Sequence, residues 1–168
     1  MRIVLIGPMG AGKTTAGTSL SNQFNLPLYD TDRIIEQREK KTIVSIFHDH
    51  DESYFREIES AVLKEAALLP EAVICTGGGI VLNKANRKFL QDESCVIYLE
   101  TSVSSQMERL IEDRSRPILN VDNKIKKLVE LKKIRDTLYK EVAKITINTD
   151  GLSMQNVFKL ITESLSLN

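Results

Sequence analysis

The stretch RIVLIGPMGAGKT, residues 2–14, decides the fold. Its first part, Arg2 to Ile6, is a short apolar run that reads as a buried strand. Residues 7–14, GPMGAGKT, satisfy G-x-x-x-x-G-K-[ST] at every fixed position. Beyond them Ala16, Leu20 and Phe24 recur at helical spacing, so the motif falls on a strand-to-helix junction. In that setting each residue type has a physical task. The glycines Gly10 and Gly12 let backbone N–H groups, including those around Ala11 and Thr15, curl about phosphate oxygens at a helix N-terminus. Lys13 can reach the β- and γ-phosphates of a nucleotide such as ATP, and the Thr14 hydroxyl can ligate Mg²⁺. A glycine-rich turn that only caps a helix is the plainer alternative. The coincidence of the full eight-residue pattern with the predicted junction disfavours it.

Working outward, LPLYDTD (residues 26–32) gives a second short strand ending in acids, and TIVSIF (42–47) opens a helix with Thr42 placed to cap it. Phe55, Ile58, Val62, Ala66 and Leu69 mark a helix that Pro70 ends. AVICT (72–76) makes a third strand running into Gly77, Gly78 and Gly79, and SCVIYLE (94–100) a fourth. Ser102 begins a helix that ends near the polar EDRSRPILN (112–120). Ile125, Leu128, Leu131, Ile134 and Leu138 predict one more amphipathic helix. AKITINTD (143–150) is a fifth strand, and Val157, Leu160, Ile161 and Leu165 stripe a last helix. Strands alternating with helices predict an α/β fold with a five-stranded parallel sheet flanked by helices, binding its ligands at the carboxyl ends of the strands.

Composition narrows the function. At 168 residues and 42% hydrophobic, the chain suits one buried core, so a single domain over 1–168 is expected. Its 23 basic and 23 acidic residues cancel, which gives no global attraction to nucleic acid or to a membrane surface. No apolar run reaches transmembrane length, and the opening run passes into glycines without a cleavage site. Cys75 and Cys95 sit in apolar runs without metal-ligand spacing, as buried thiols of a reduced, cytoplasmic compartment would.

Several polar residues gather at the predicted strand ends. Asp30 and Asp32, two apart, would project to the same side if strand geometry continues; one could help hold Mg²⁺ and the other accept the proton of an attacking hydroxyl. A polar turn with Asp32 capping a helix is the alternative. Arg56 and Glu59 share a helical face, so the acid can orient the guanidinium for a planar anion, although such a pair is commonly a surface ion pair. Arg116, on a loop after a helix, could be delivered to the phosphate by a lid, and Arg135 offers a second anion clamp. His48 and His50 read as a solvated helix end, and the lysines of KIKKLVELKKIR (124–135) as a solvated helix face.

Taken in order, GPMGAGKT, DTDRIIE, FREIE, CTGGG, SRPIL and R-x-x-LY, spanning residues 7–139, resemble the shikimate kinase family of P-loop kinases. The resemblance implies a three-layer P-loop sandwich with a lid at about 113–123 and an acceptor-binding segment at about 33–61. It implies a monomer that transfers the γ-phosphoryl of ATP to the 3-hydroxyl of shikimate, with Mg²⁺, in aromatic amino acid precursor synthesis. Asp32 would then serve as base and Asp30 stand on the magnesium side with Thr14. Arg56, Arg135 and the Gly77–Gly79 turn would hold the shikimate carboxylate, between apolar walls at Phe47 and Phe55. Lys13 and Arg116 would neutralise the transferring group, and Arg109 would lie beside adenine. The chain departs from the family at Thr137, where proline is frequent, in RPIL for RPLL, and after the fifth strand, where NTDGLS lacks the arginine and proline some members place beside adenine. From the residues alone, another small-molecule kinase, such as a gluconate kinase, and an inactive nucleotide-dependent binding module remain alternatives.

Overall fold

In the computed structural model, which describes residues 1–93, 95–110 and 123–166, strand β1 (Arg2–Ile6) runs into the glycine loop and helix α1 (Lys13–Phe24) begins at the motif lysine. Strands β2 (Leu28–Asp30), β3 (Ala72–Cys75), β4 (Val96–Glu100) and β5 (Ile145–Asn148) complete one sheet of order β2-β3-β1-β4-β5, every pairing parallel. Parallel neighbours need long crossovers. Helices α2 (Thr31–Glu39), α3 (Ile43–Asp49) and α4 (Glu52–Ala66) separate β2 from β3. A 3-10 turn, Ile80–Leu82, and α5 (Lys84–Asp92) lead from β3 to β4. Helices α6 (Val103–Leu110) and α7 (Lys124–Val142) lie between β4 and β5, and α8 (Met154–Ser166) follows.

The strand period of two builds the layers. Ile3 and Leu5 of β1 face one side, where Leu20 of α1 and Val157 and Ile161 of α8 cover them. Val4 and Ile6 face the other, against Leu63 of α4, Leu90 of α5 and Tyr139 of α7. Both faces are therefore buried, which is why β1, β3 and β4 are continuous apolar runs. A smaller cluster of Ile35, Ile46, Phe55 and Val62 knits α2, α3 and α4 together beside the sheet.

Several sequence expectations change, among them Leu160 of the last helix, which is exposed rather than part of the buried stripe. Strand geometry does not continue to Asp32: β2 stops at Asp30, whose carboxylate caps α2 by accepting the Arg33 N–H, so Asp32 lies in the first helical turn. Phe24 is exposed, because it ends α1 where the chain turns away at left-handed Asn25. On α7 the predicted stripe is rotated. Ile125 and Ile134 are 56% and 57% exposed, and the buried face carries Leu128, Arg135, Tyr139 and Val142. A charged residue takes a core-side position there, which hydrophobic periodicity cannot register.

Candidate active site

A cleft of about 480 Å³ opens at the carboxyl ends of the sheet, with the glycine loop on one side and the Gly77–Gly79 turn and α4 on the other. Gly12, at φ 87°, is the N-cap of α1, and no side chain caps that helix. Its first N–H groups are thus left for an anion. The Lys13 ammonium folds back onto its own loop, donating to the carbonyls of Gly7 and Pro8 at 2.8 Å each. The Thr14 hydroxyl donates to Asp30 Oδ2 at 2.9 Å. Loop and β2 therefore present two hard oxygen ligands side by side, a set that suits Mg²⁺. Among the described residues no group of three or more His, Cys, Asp or Glu could hold a metal by itself.

Of the loop residues expected to face a nucleotide, Gly10, Gly12, Lys13, Thr14 and Thr15 line the cleft. Ala11 does not: its side chain lies in the core and its N–H bonds to the Pro8 carbonyl. Arg109, on the last turn of α6, reaches across to donate to the Gly10 carbonyl at 3.0 Å and to the Thr149 Oγ1 and carbonyl at 3.1 and 2.8 Å. It joins the loop to the end of β5.

The opposite wall is built around the glycine turn. The Gly77 N–H donates to Thr31 Oγ1 at 3.1 Å, tying the turn to α2. A Cβ at Gly77 would stand 2.7 Å from Asp32 Oδ1 and 2.5 Å from Glu59 Oε1, and one at Gly79 would strike the Arg56 guanidinium. A side chain at either position would displace the acids or the arginine, so glycine leaves them where they stand. Arg56 Nη1 donates to Glu59 Oε2 at 2.6 Å, and Nη2 donates to Glu52 Oε1 at 3.0 Å. Its guanidinium also lies over the Phe55 ring, 5.2 Å from the centroid. Phe55 packs on Phe47 with centroids 4.8 Å apart, and both line the cleft.

Glu59 is 1% exposed. Burial pushes its carboxyl above the ordinary range, Arg56 and Arg135 oppose that push, and Asp32 adds to it. The pair Arg56–Glu59 is consequently no surface ion pair. Sequence spacing made Glu59 a partner for Arg56; its place on the cleft wall beside Asp32 had no sequence signal. Met154 of α8, whose thioether lies 2.8 Å from where a Gly12 Cβ would stand, was likewise unsignalled.

Arg135 lines the same wall at 4% exposure. Arg116, and the predicted lid up to residue 122, lie outside the described residues. His48 is exposed at the end of α3 and His50 caps that helix, as read from sequence. Cys75 and Cys95 are free, and burial pushes their thiols up to about 12 and about 11. They are inert core groups at neutral pH.

Fold and cleft together place the chain among the ATP-dependent P-loop kinases that act on small molecules. It belongs to the shikimate kinase family, whose model, described as Shikimate kinase, matches residues 9–166. The chain is 43% identical over 166 residues to the shikimate kinase of Thioalkalivibrio sulfidiphilus, covering 99% of this chain and 87% of that one. It is 44% identical over 149 residues to that of Haemophilus influenzae, covering 88% and 83%. Among solved structures, the shikimate kinase of Acinetobacter baumannii in complex with shikimate matches at TM-score 0.96 and 40% identity, covering 99% and 93%. The deoxyadenosine kinase of M. mycoides with bound dATP, at TM-score 0.64 and 18% identity over 99% and 100%, shares the fold. No helix among the described residues is long and apolar enough to cross a membrane.

Proposed function

We propose that the chain transfers the γ-phosphoryl group of ATP to the 3-hydroxyl of shikimate, a step toward aromatic amino acids. One observation carries the reading. The phosphate loop, Asp32, half-buried Arg56 and buried Arg135 line one cleft, so that a phosphate donor and a carboxylated acceptor can meet at an acid.

The roles follow from what each group can do. The uncapped N-terminus of α1 and the loop backbone hold the nucleotide's phosphates. Lys13 exchanges its bonds to Gly7 and Pro8 for the β- and γ-phosphate oxygens, which offer the same acceptors with full charge. Thr14 and Asp30 would hold Mg²⁺, which when bound neutralises charge on the phosphates. Asp32 orients the acceptor hydroxyl and takes its proton as the new P–O bond forms and the bond to the β-phosphate oxygen breaks. Arg56, Arg135 and the Gly77–Gly79 turn hold the acceptor's carboxylate against the aromatic wall of Phe47 and Phe55. Arg109 stands on the base side of the nucleotide, and the family resemblance assigns Arg116 to the γ-phosphoryl group. The segment at about 33–61 carries the acceptor side. We read the protein as cytoplasmic, in keeping with its two unpaired buried thiols, and as a monomer on the family resemblance.

ADP release measured with shikimate, with gluconate and without acceptor tests the reading directly. Release that is fast only with shikimate is expected; release indifferent to the acceptor, or faster with gluconate, overturns it. The carboxylate is tested by an analogue in which it is reduced to an alcohol. Wild type should prefer the acid by roughly thirtyfold, about 2 kcal/mol, the low end for a charge pair that keeps some solvent contact. Arg56→Ala should erase most of that preference. Equal calorimetric affinity of wild type for acid and alcohol would show that the arginines read something else.

A further inference from the structure

Two tyrosines behind the cleft have no part in the steps above. Tyr139 is fully buried on α7, and its hydroxyl donates to the carbonyl of Gly78, 61 residues away in the chain. Its ring stacks on that of Tyr98, with centroids 4.8 Å apart and planes 25° from parallel. The Tyr98 hydroxyl takes a different direction and donates to Asp136 Oδ1 at 2.8 Å. Phenylalanine would fill either ring position without a polar group to satisfy. The hydroxyl at 139 therefore has a task of its own, and its partner shows which one.

Gly78 has no side chain to restrict rotation about its Cα. Anchoring its carbonyl removes one of its two soft rotations and holds the turn against α7. Arg135 lies one helical turn before Tyr139 on the same face. Its Nη1 is 3.5 Å from where a Gly78 Cβ would stand, and its Nε has no hydrogen-bond partner among the described residues. The guanidinium also neighbours the Tyr139 hydroxyl. One phenol thus sits at the joint between the glycine turn and the arginine beside it.

We propose that Tyr139 is a positioning residue for the acceptor. Its hydroxyl locks the Gly78 carbonyl to α7, so that the Gly78 N–H and the Arg135 guanidinium stay aimed at one carboxylate. The inference rests on the assignment of Arg135 and Gly78 to the acceptor's carboxylate.

The test compares Tyr139→Phe, Tyr98→Phe and Arg135→Ala in the full chain, varying shikimate and its alcohol analogue at saturating ATP and then ATP at saturating shikimate. Phe keeps the stacked rings, and melting curves with assays at 15 °C keep a less stable variant readable. Tyr139→Phe should raise the KM for shikimate about tenfold and shrink the acid-over-alcohol preference by about the same factor. Its kcat and its KM for ATP should stay within about twofold, as expected when only uniform acceptor binding is lost. Tyr98→Phe loses a hydroxyl from the same stack and should leave the preference unchanged. An unaltered KM in Tyr139→Phe, equal losses for acid and alcohol, or a Tyr98→Phe that behaves like Tyr139→Phe overturns the positioning role. If Arg135→Ala keeps the full preference, the carboxylate assignment itself fails, and the role of Tyr139 with it.

Discussion

Lys13→Ala is expected to lower kcat by on the order of a thousandfold, about 4 kcal/mol of barrier. The ammonium is the only point cation the phosphate loop itself supplies, and beside protein walls of low dielectric solvent replaces a lost charge only in part. Nucleotide affinity should fall less, because the N–H groups at the start of α1 remain. Removing the bonds to Gly7 and Pro8 also loosens the loop before any ligand arrives. A drop in Tm of roughly 2–4 °C is expected from about 1 kcal/mol of lost stability in a chain of this size. The two effects separate by measurement: melting reports the loop, and single-turnover transfer reports the chemistry. Lys13→Arg restores charge without the rate, since a planar fork does not fit where an ammonium bridges two carbonyls. Near-normal turnover in folded Lys13→Ala would remove the phosphate loop from the reaction.

The phosphate loop was legible because its function is contiguous. Eight successive residues carry the glycines, the lysine and the hydroxyl, and the strand and helix that present them announce themselves by local periodicity. The parallel sheet was legible for the same reason: buried strands must be apolar on both faces. The far wall was legible only through the ordered set of motifs that resembles a known family, not from local pattern, because it is assembled from pieces far apart in the chain. Asp32 leaves the strand only because the Asp30 carboxylate finds the Arg33 N–H and starts a helix. Glu59 becomes a buried acid only once Arg56, Arg135 and the Gly77 turn surround it. Arg135 faces inward against the pattern of α7 because the turn beside it is bare of side chains and a phenol holds that turn in place. Ala11 shows the converse, since a residue inside the motif points into the core while its neighbours line the cleft. Pattern reads what a chain does locally. It does not read which distant backbone is bare enough to admit a charge.

Asp32→Asn is expected to lower kcat at least about a hundredfold while the KM for shikimate changes little. The structure sets two carboxylates at the glycine turn, and only one of them can be the base. Glu59 is nearly sealed from solvent, its Oε2 is committed to Arg56 at 2.6 Å, and burial favours its neutral form. A proton it accepted would weaken the ion pair that holds the arginine. Asp32 is only half-buried, lines the cleft and sits in the first turn of α2, where the helix dipole favours a negative charge. It can therefore meet an acceptor hydroxyl from the cleft side. Asn preserves its shape and a hydrogen bond to that hydroxyl, so binding should survive while the proton loses its destination. Glu59→Gln should act the other way, loosening Arg56 and raising the KM more than it lowers kcat. A loose transition state asks for the proton late, which limits how much a base can contribute. A loss under about tenfold in Asp32→Asn would mean that positioning and charge neutralisation perform the transfer, and a change confined to KM would make Asp32 a binding group.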